Sequence, residues 1–140
     1  MRAFLAIGLA LASPCNAQPA GVTPWMTGHR LVKLLGNVDP AAVNWTPDSP
    51  FRTRAIAAEF EDARNRELVR GFIHGVHDAT EGKAWCWSAR YKPAPDELEE
   101  DARRALQQMS DTQLKRNAAD LIEEVWRSRW PCSADQRRKQ

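Results

Sequence analysis

Three groups of side chains in this chain have the types and spacing that chemistry needs. His74 and His77 stand three residues apart with Asp78 beside them, a spacing that places both imidazoles on one helix face. Such a pair can ligate a metal or move a proton, but a metal site needs a third strong ligand. His29 is the remaining histidine, and nothing in the spacing brings it near. The plainer reading is a pair of partly exposed helix histidines. Cys86 beside a histidine base would be the second group, a nucleophile pair, but a cysteine held in a disulfide cannot attack. The third group is Trp85, Trp87, Arg90 and Tyr91, followed at once by Lys92. Tryptophan, tyrosine and arginine dominate interface hot spots because they bury large areas while keeping a polar handle. A loop that carries them and is tied down covalently loses little entropy on binding. Against this, Trp85 or Trp87 can pack beside the disulfide as core. No glycine-rich phosphate loop and no serine elbow occurs, so the residues favour binding over catalysis and imply no cofactor.

The state of the cysteines depends on the compartment. Arg2 precedes an apolar run from Ala3 to Ala12, Ser13-Pro14 breaks it, and Cys15-Asn16-Ala17 has small residues at its outer positions. This is the pattern of a secretory signal peptide, residues 1–17, cut before Gln18. The run falls far short of the roughly 20 apolar residues that a membrane-spanning helix needs, and no later segment supplies them. A lipoprotein acylated at Cys15 is the alternative, which Pro14 fits poorly. Loss of the leader leaves Cys86 and Cys132, which allow one intramolecular pairing. In an oxidising compartment that bond is expected, with free or intermolecularly paired thiols as the alternative. Removing Arg2 leaves 19 basic residues, from 20, against 18 acidic ones. A near-neutral balance argues against a nucleic-acid binder, whose basic face should dominate. Arg137-Arg138-Lys139 reads as a solvated end.

Apolar spacing of 3.6 residues then predicts an all-α chain, a compact bundle of about four helices closed by one disulfide. The first helix runs from a Thr27 cap through Leu31, Leu34 and Leu35 to Gly36. Pro40, Pro47 and Pro50 keep the next stretch from being helical. A long second helix, from about Arg52 to Thr80, carries Ile56 and Phe60 on one stripe and continues through Val69, Phe72, Ile73 and Val76. Gly71 and Gly75 on one face cost helix stability and predict a close helix crossing, with a local kink as the alternative. Gly82 opens the connector. Asp96 with Glu99 predicts a capping box for the third helix, whose stripe is Leu98, Ala102, Ala105, Leu106 and Met109. Ser110 to Thr112 recaps a fourth helix bearing Leu114, Ala118, Leu121, Ile122, Val125 and Trp126 on a continuous buried face. Pro131 stops it. The expected organisation is an extension over 18–26, one helical domain over 27–132 and a basic tail over 133–140.

These elements resemble a known family. The signal peptide, Thr27-Gly28 opening a Leu-rich helix, Gly71-Phe72-Ile73-His74-Gly75-Val76-His77-Asp78-Ala79, the Trp-Cys of the connector and the closing Trp130-Pro131-Cys132 look like the Rap/Tai family, periplasmic immunity proteins of type VI secretion. The resemblance covers about Thr27 to Cys132. It implies an all-helical domain, often dimeric, that blocks a peptidoglycan amidase effector of the cysteine-histidine kind by covering or plugging its cleft. The protein would then be a periplasmic inhibitor and not an enzyme. The connector from Trp85 to Lys92 and the loop from Asn37 to Pro50 would be its contact surfaces. A structural or binding protein of the same fold with another partner is the runner-up. One departure stands out: where the family commonly has a second cysteine pair, this chain has Leu35 or Gly36 and Val69, which predicts apolar packing in place of a bridge.

Overall fold

A computed structural model describes residues 23–87 and 91–133. The leader, Arg90 and the basic tail from 134 onward lie outside those residues. The described chain is all-helical, with strand pairing limited to isolated bridges.

Side-chain caps set most of the helix starts. Thr27 Oγ1 accepts from the Arg30 N–H at 3.2 Å and opens α1, Gly28–Leu35. A single 3-10 turn, Pro40–Ala42, follows an Asp39 cap inside the proline-rich stretch. Thr53 Oγ1 accepts from Ile56 N–H and opens α2, Arg54–Thr80. At 27 residues α2 is about 40 Å long. Beyond its end Gly82 takes φ 77°, the left-handed turn that glycine adopts without a Cβ penalty, and its N–H donates to Trp85 O at 2.8 Å.

The later boundaries depart from expectation. Asp96 is not the cap of α3: the helix, Pro95–Gln107, starts one residue earlier on Ala94, and Glu97 reaches back to accept the Ala94 N–H at 2.7 Å. Pro95 at the first helical position needs no N–H partner, which draws the start toward it. Glu99 points instead at Arg70, 3.4 Å away. The expected fourth helix is two. Ser110 caps α4, Asp111–Leu114, in a box with Gln113, and Asn117 caps α5, Ala118–Arg129. The break exists because the N-terminal segment pairs there: Gly28 N–H donates to Arg116 O at 3.1 Å and Ala118 N–H donates to Met26 O at 2.9 Å.

Two cores share α2. The main one joins Leu31 of α1, Val69, Ile73 and Val76 of α2, Leu98, Ala102 and Leu106 of α3, and Ala118, Leu121, Ile122 and Trp126 of α5, with Met26 and Trp85. A smaller one packs Val43, Val38, Trp45 and Phe51 of the proline-rich loop on Ala57 and Ala58. Two polar ties hold that loop to its helix: Val38 N–H donates to Asp62 Oδ1 at 2.8 Å, and Trp45 Nε1–H donates to Phe51 O at 2.7 Å. The small side chains at 57 and 58 admit the loop, so the stripe faces that way and leaves Ile56 and Phe60 exposed, contrary to the sequence reading.

The glycines also sort differently from expectation. A Cβ at Gly71 or Gly75 would meet nothing within 4 Å, so no helix crosses α2 there. The close approach is at Gly28, where a Cβ would lie 2.9 Å from Leu114 Cδ2 and Leu121 Cδ1. At the places of the family's second cysteine pair, Leu35, Gly36 and Val69 line one cavity of about 150 Å³. Val69 is buried in the main core and Leu35 packs against that core. Cys86 and Cys132 are disulfide-bonded with Cα atoms 4.7 Å apart, and the Cys86 N–H donates to Trp130 O at 2.9 Å.

Gly28→Ala should destabilise the fold by about 1–3 kcal/mol through overpacking. Gly71→Ala, on an open helix face, should stabilise it by about 0.5–1 kcal/mol. Chemical denaturation of both variants checks the pair, and equal signs would refute the assignment. The disulfide spans 46 residues, for which the loop-entropy model gives about 4 kcal/mol. Reduction should therefore lower the thermal midpoint by about 15 °C, and an unchanged midpoint would show that the bond carries no stability.

Candidate functional site

The connector between α2 and α3 has an anchored inner layer and an outer one. Trp85 belongs to the inner layer and is 0% exposed. Its ring centroid lies 5.2 Å from that of Trp126, 5.7 Å from Trp130 and 5.5 Å from His77. Its indole N–H donates to Thr80 Oγ1 at 2.8 Å, and that hydroxyl donates to Val76 O at 2.6 Å. Trp85 therefore presents no surface to a partner, which corrects its place among the contact residues. A large apolar ring with its one polar atom satisfied gains more from the core than from the rim.

The outer layer is Trp87, Tyr91 and Lys92. Trp87 is half-buried and the Lys92 ammonium stands over its ring at 5.0 Å. Tyr91 is 50% exposed, and its hydroxyl donates to Glu97 Oε1 at 2.7 Å. Since Glu97 Oε2 already accepts the Ala94 N–H, one carboxylate both starts α3 and latches the connector to it. Arg90 lies outside the described residues.

The histidines are scattered. His77 points Nδ1 at Asp78 Oδ1 and Nε2 at Glu81 Oε2, each 2.8 Å away. His74 faces α3, its Nε2 3.5 Å from Glu99 Oε1, too long for a strong hydrogen bond. His29 Nε2 sits 3.1 Å from Asp111 Oδ1, at the start of α4. Each thus has its own carboxylate, and no three His, Cys, Asp or Glu side chains among the described residues converge as a metal would require.

One feature was not found from sequence. Tyr91, the first turns of α3 and the end of α5 enclose a cavity of about 320 Å³, lined also by Asp96, Glu97, Glu100, Asp101 and Trp130. Asp101 is 7% exposed and pairs with Arg129 across the cavity. The available signal was a carboxylate between Leu98 and Ala102 on the stripe that faces the core.

The latch titrates. The hydrogen bond to Glu97 raises the Tyr91 hydroxyl pKa above the ordinary phenol value. The Ala94 N–H, followed by the Tyr91 hydroxyl, lowers that of Glu97 below the ordinary carboxylate value. By linkage, the protonated phenol contributes below its unfolded pKa, and that contribution is lost as pH rises through the raised folded value. The carboxylate contributes above its unfolded pKa, and that contribution is lost as pH falls through the lowered folded value. The latch is therefore whole at neutral pH. The chain has one tyrosine, so phenolate absorbance reports this site alone. Glu97→Ala should bring the titration midpoint down toward that of a free phenol, and an unmoved midpoint would show that the hydrogen bond is not formed.

The residues that build this connector and its support fall inside one family match. The model of the Rap1a immunity proteins matches residues 40–132 of the 140. That span runs from the 3-10 turn to the second cysteine of the disulfide, taking in α2, the connector and α3 to α5. No curated protein matches the chain significantly. An all-helical fold closed by Cys86–Cys132, with the match over most of its length, gives the assignment: the chain belongs to the Rap1a immunity proteins.

Proposed function

We propose that this protein is a periplasmic immunity protein that binds and inhibits a peptidoglycan amidase effector delivered by type VI secretion. The observation that carries the reading is the family match over residues 40–132. The disulfide supports it, because such a bond fits an oxidising compartment, as does the signal-peptide pattern of residues 1–17. No helix among the described residues is long and apolar enough to cross a membrane.

Inhibition needs a surface that holds its shape before the enzyme arrives, since ordering side chains on binding costs affinity. Two side chains of the connector have such support. Trp87 packs against the main core directly after the disulfide-bonded Cys86, and Tyr91 is tied to Glu97. In this reading Trp87, Arg90, Tyr91 and Lys92 make the central contacts, Trp85 supports them from beneath, and the loop from Asn37 to Pro50 adds a second edge. The inhibitor acts by occluding the amidase cleft and contributes no catalytic group.

Affinity capture with the oxidised mature domain, from extracts of the native strain and its relatives, should retain a peptidoglycan amidase, which the purified domain should then inhibit stoichiometrically. Recovery of no amidase from extracts that contain one would overturn the reading and point to another partner. Alanine at Trp87, Arg90 or Tyr91 should cost more than about 1 kcal/mol of binding for at least one of the three. If all three variants are folded and bind normally, the interface lies elsewhere.

A further inference from the structure

We infer that the cavity beside Tyr91 receives a guanidinium group, an arginine side chain presented by the inhibited enzyme; this rests on the immunity reading above. The argument begins with charge. Among the described residues, Asp96, Glu97, Glu100 and Asp101 line the cavity together with the cations Arg104 and Arg129. The described lining is therefore two negative charges in excess, within a chain whose formal balance is +2.

The acceptors show where a cation would go. Both oxygens of Glu97 are taken, by the Tyr91 hydroxyl and the Ala94 N–H. Glu100 pairs with Arg104 at 3.4 Å and with Arg103 at 3.7 Å. Asp96 makes no hydrogen bond or ion pair with the described residues and is exposed at the rim. Asp101, 7% exposed, accepts from Arg129 at Oδ1, while its buried Oδ2 has no hydrogen-bond partner among the described residues. A buried carboxylate oxygen without a donor is costly. A donor that entered between Asp101 and Asp96 would relieve it.

The walls favour one kind of cation. Arg129 already lies 5.4 Å from the centroid of the Trp130 ring while it pairs with Asp101, so the site seats one guanidinium between an indole and a carboxylate. Tyr91 supplies a second aromatic side chain to the lining. A guanidinium is planar, weakly hydrated and able to stack while its fork donates to carboxylates, whereas an ammonium is a strongly hydrated point charge. The carboxylates do not form the convergent set that a metal ion requires.

The test uses the oxidised mature protein and three small probes, N-acetyl-argininamide, N-acetyl-lysinamide and the uncharged isostere N-acetyl-citrullinamide. Binding is followed by NMR at the Trp130 indole N–H and the Tyr91 ring. The arginine probe should give saturable shifts, the lysine probe weaker ones and the citrulline probe none. The shifts should vanish in the Asp96→Asn/Glu100→Gln variant, whose changes are at exposed positions. Shifts absent for all three probes, equal for arginine and citrulline, strongest for lysine, or unchanged in the variant would each overturn the proposal. With the captured amidase, the same variant should lose about tenfold or more in affinity, as expected for a partner charge left unpaired. Full inhibition by the variant would sink the guanidinium site and leave the immunity reading standing. Arginine-probe binding without capture of any amidase would do the reverse.

Discussion

The burial of Trp85 against Trp126 and Trp130 sets the geometry around it. Trp85 comes from the connector, Trp126 from α5 and Trp130 from the cap that ends it, so one aromatic cluster fixes where α2 stops and how α5 lies against it. The disulfide closes the same corner from outside, joining the residue after Trp85 to the residue two past Trp130. The two constraints act on different states. Aromatic packing lowers the free energy of the folded chain, while the covalent link chiefly restricts the unfolded one. Together they hold the corner where α2 ends and α5 closes.

The length of α2 follows a different logic. Its C-terminal half is a wall of the main core, whereas its N-terminal half carries a second, smaller core built from a proline-rich loop. Ala57 and Ala58 let that loop approach, and Ile56 and Phe60 are displaced to the surface, where Phe60 stacks on Phe51 at 5.1 Å. One rigid helix thus joins a loop edge and the connector, so a partner touching both would meet a fixed spacing.

Much of the fold was legible because its signals are local. Threonine caps, the 3.6-residue stripes of α3 and α5, Gly82 and Pro131 each act within a turn or two of themselves, and the cysteine count allowed one intramolecular pairing. What misled was set by distant partners. Gly71 and Gly75 have the spacing of a crossing, but whether a helix comes to meet them is decided elsewhere. The split between α4 and α5 depends on Met26 and Gly28, some ninety residues away in sequence. Within the site, the aromatic composition marked the connector correctly as a place of large side chains, yet only packing separates the buried Trp85 from the exposed Tyr91. Asp101 was missed because a carboxylate next to core residues gives no sign in sequence of which neighbour will neutralise it.

The pairing of residues 26–28 with residues 116–118 also bears on how the chain folds as it is made. The family match starts at residue 40, but Met26 and Leu31 are core side chains, so the unit that folds extends further toward the N-terminus than the matched residues. A chain that emerges N-terminus first exposes α1 and its apolar face long before α4 and α5 exist to cover them. Long-range closure of this kind delays folding until nearly the whole domain has emerged. Until then the apolar face of the first helix has none of its own partners, and its protection falls to whatever meets the emerging chain.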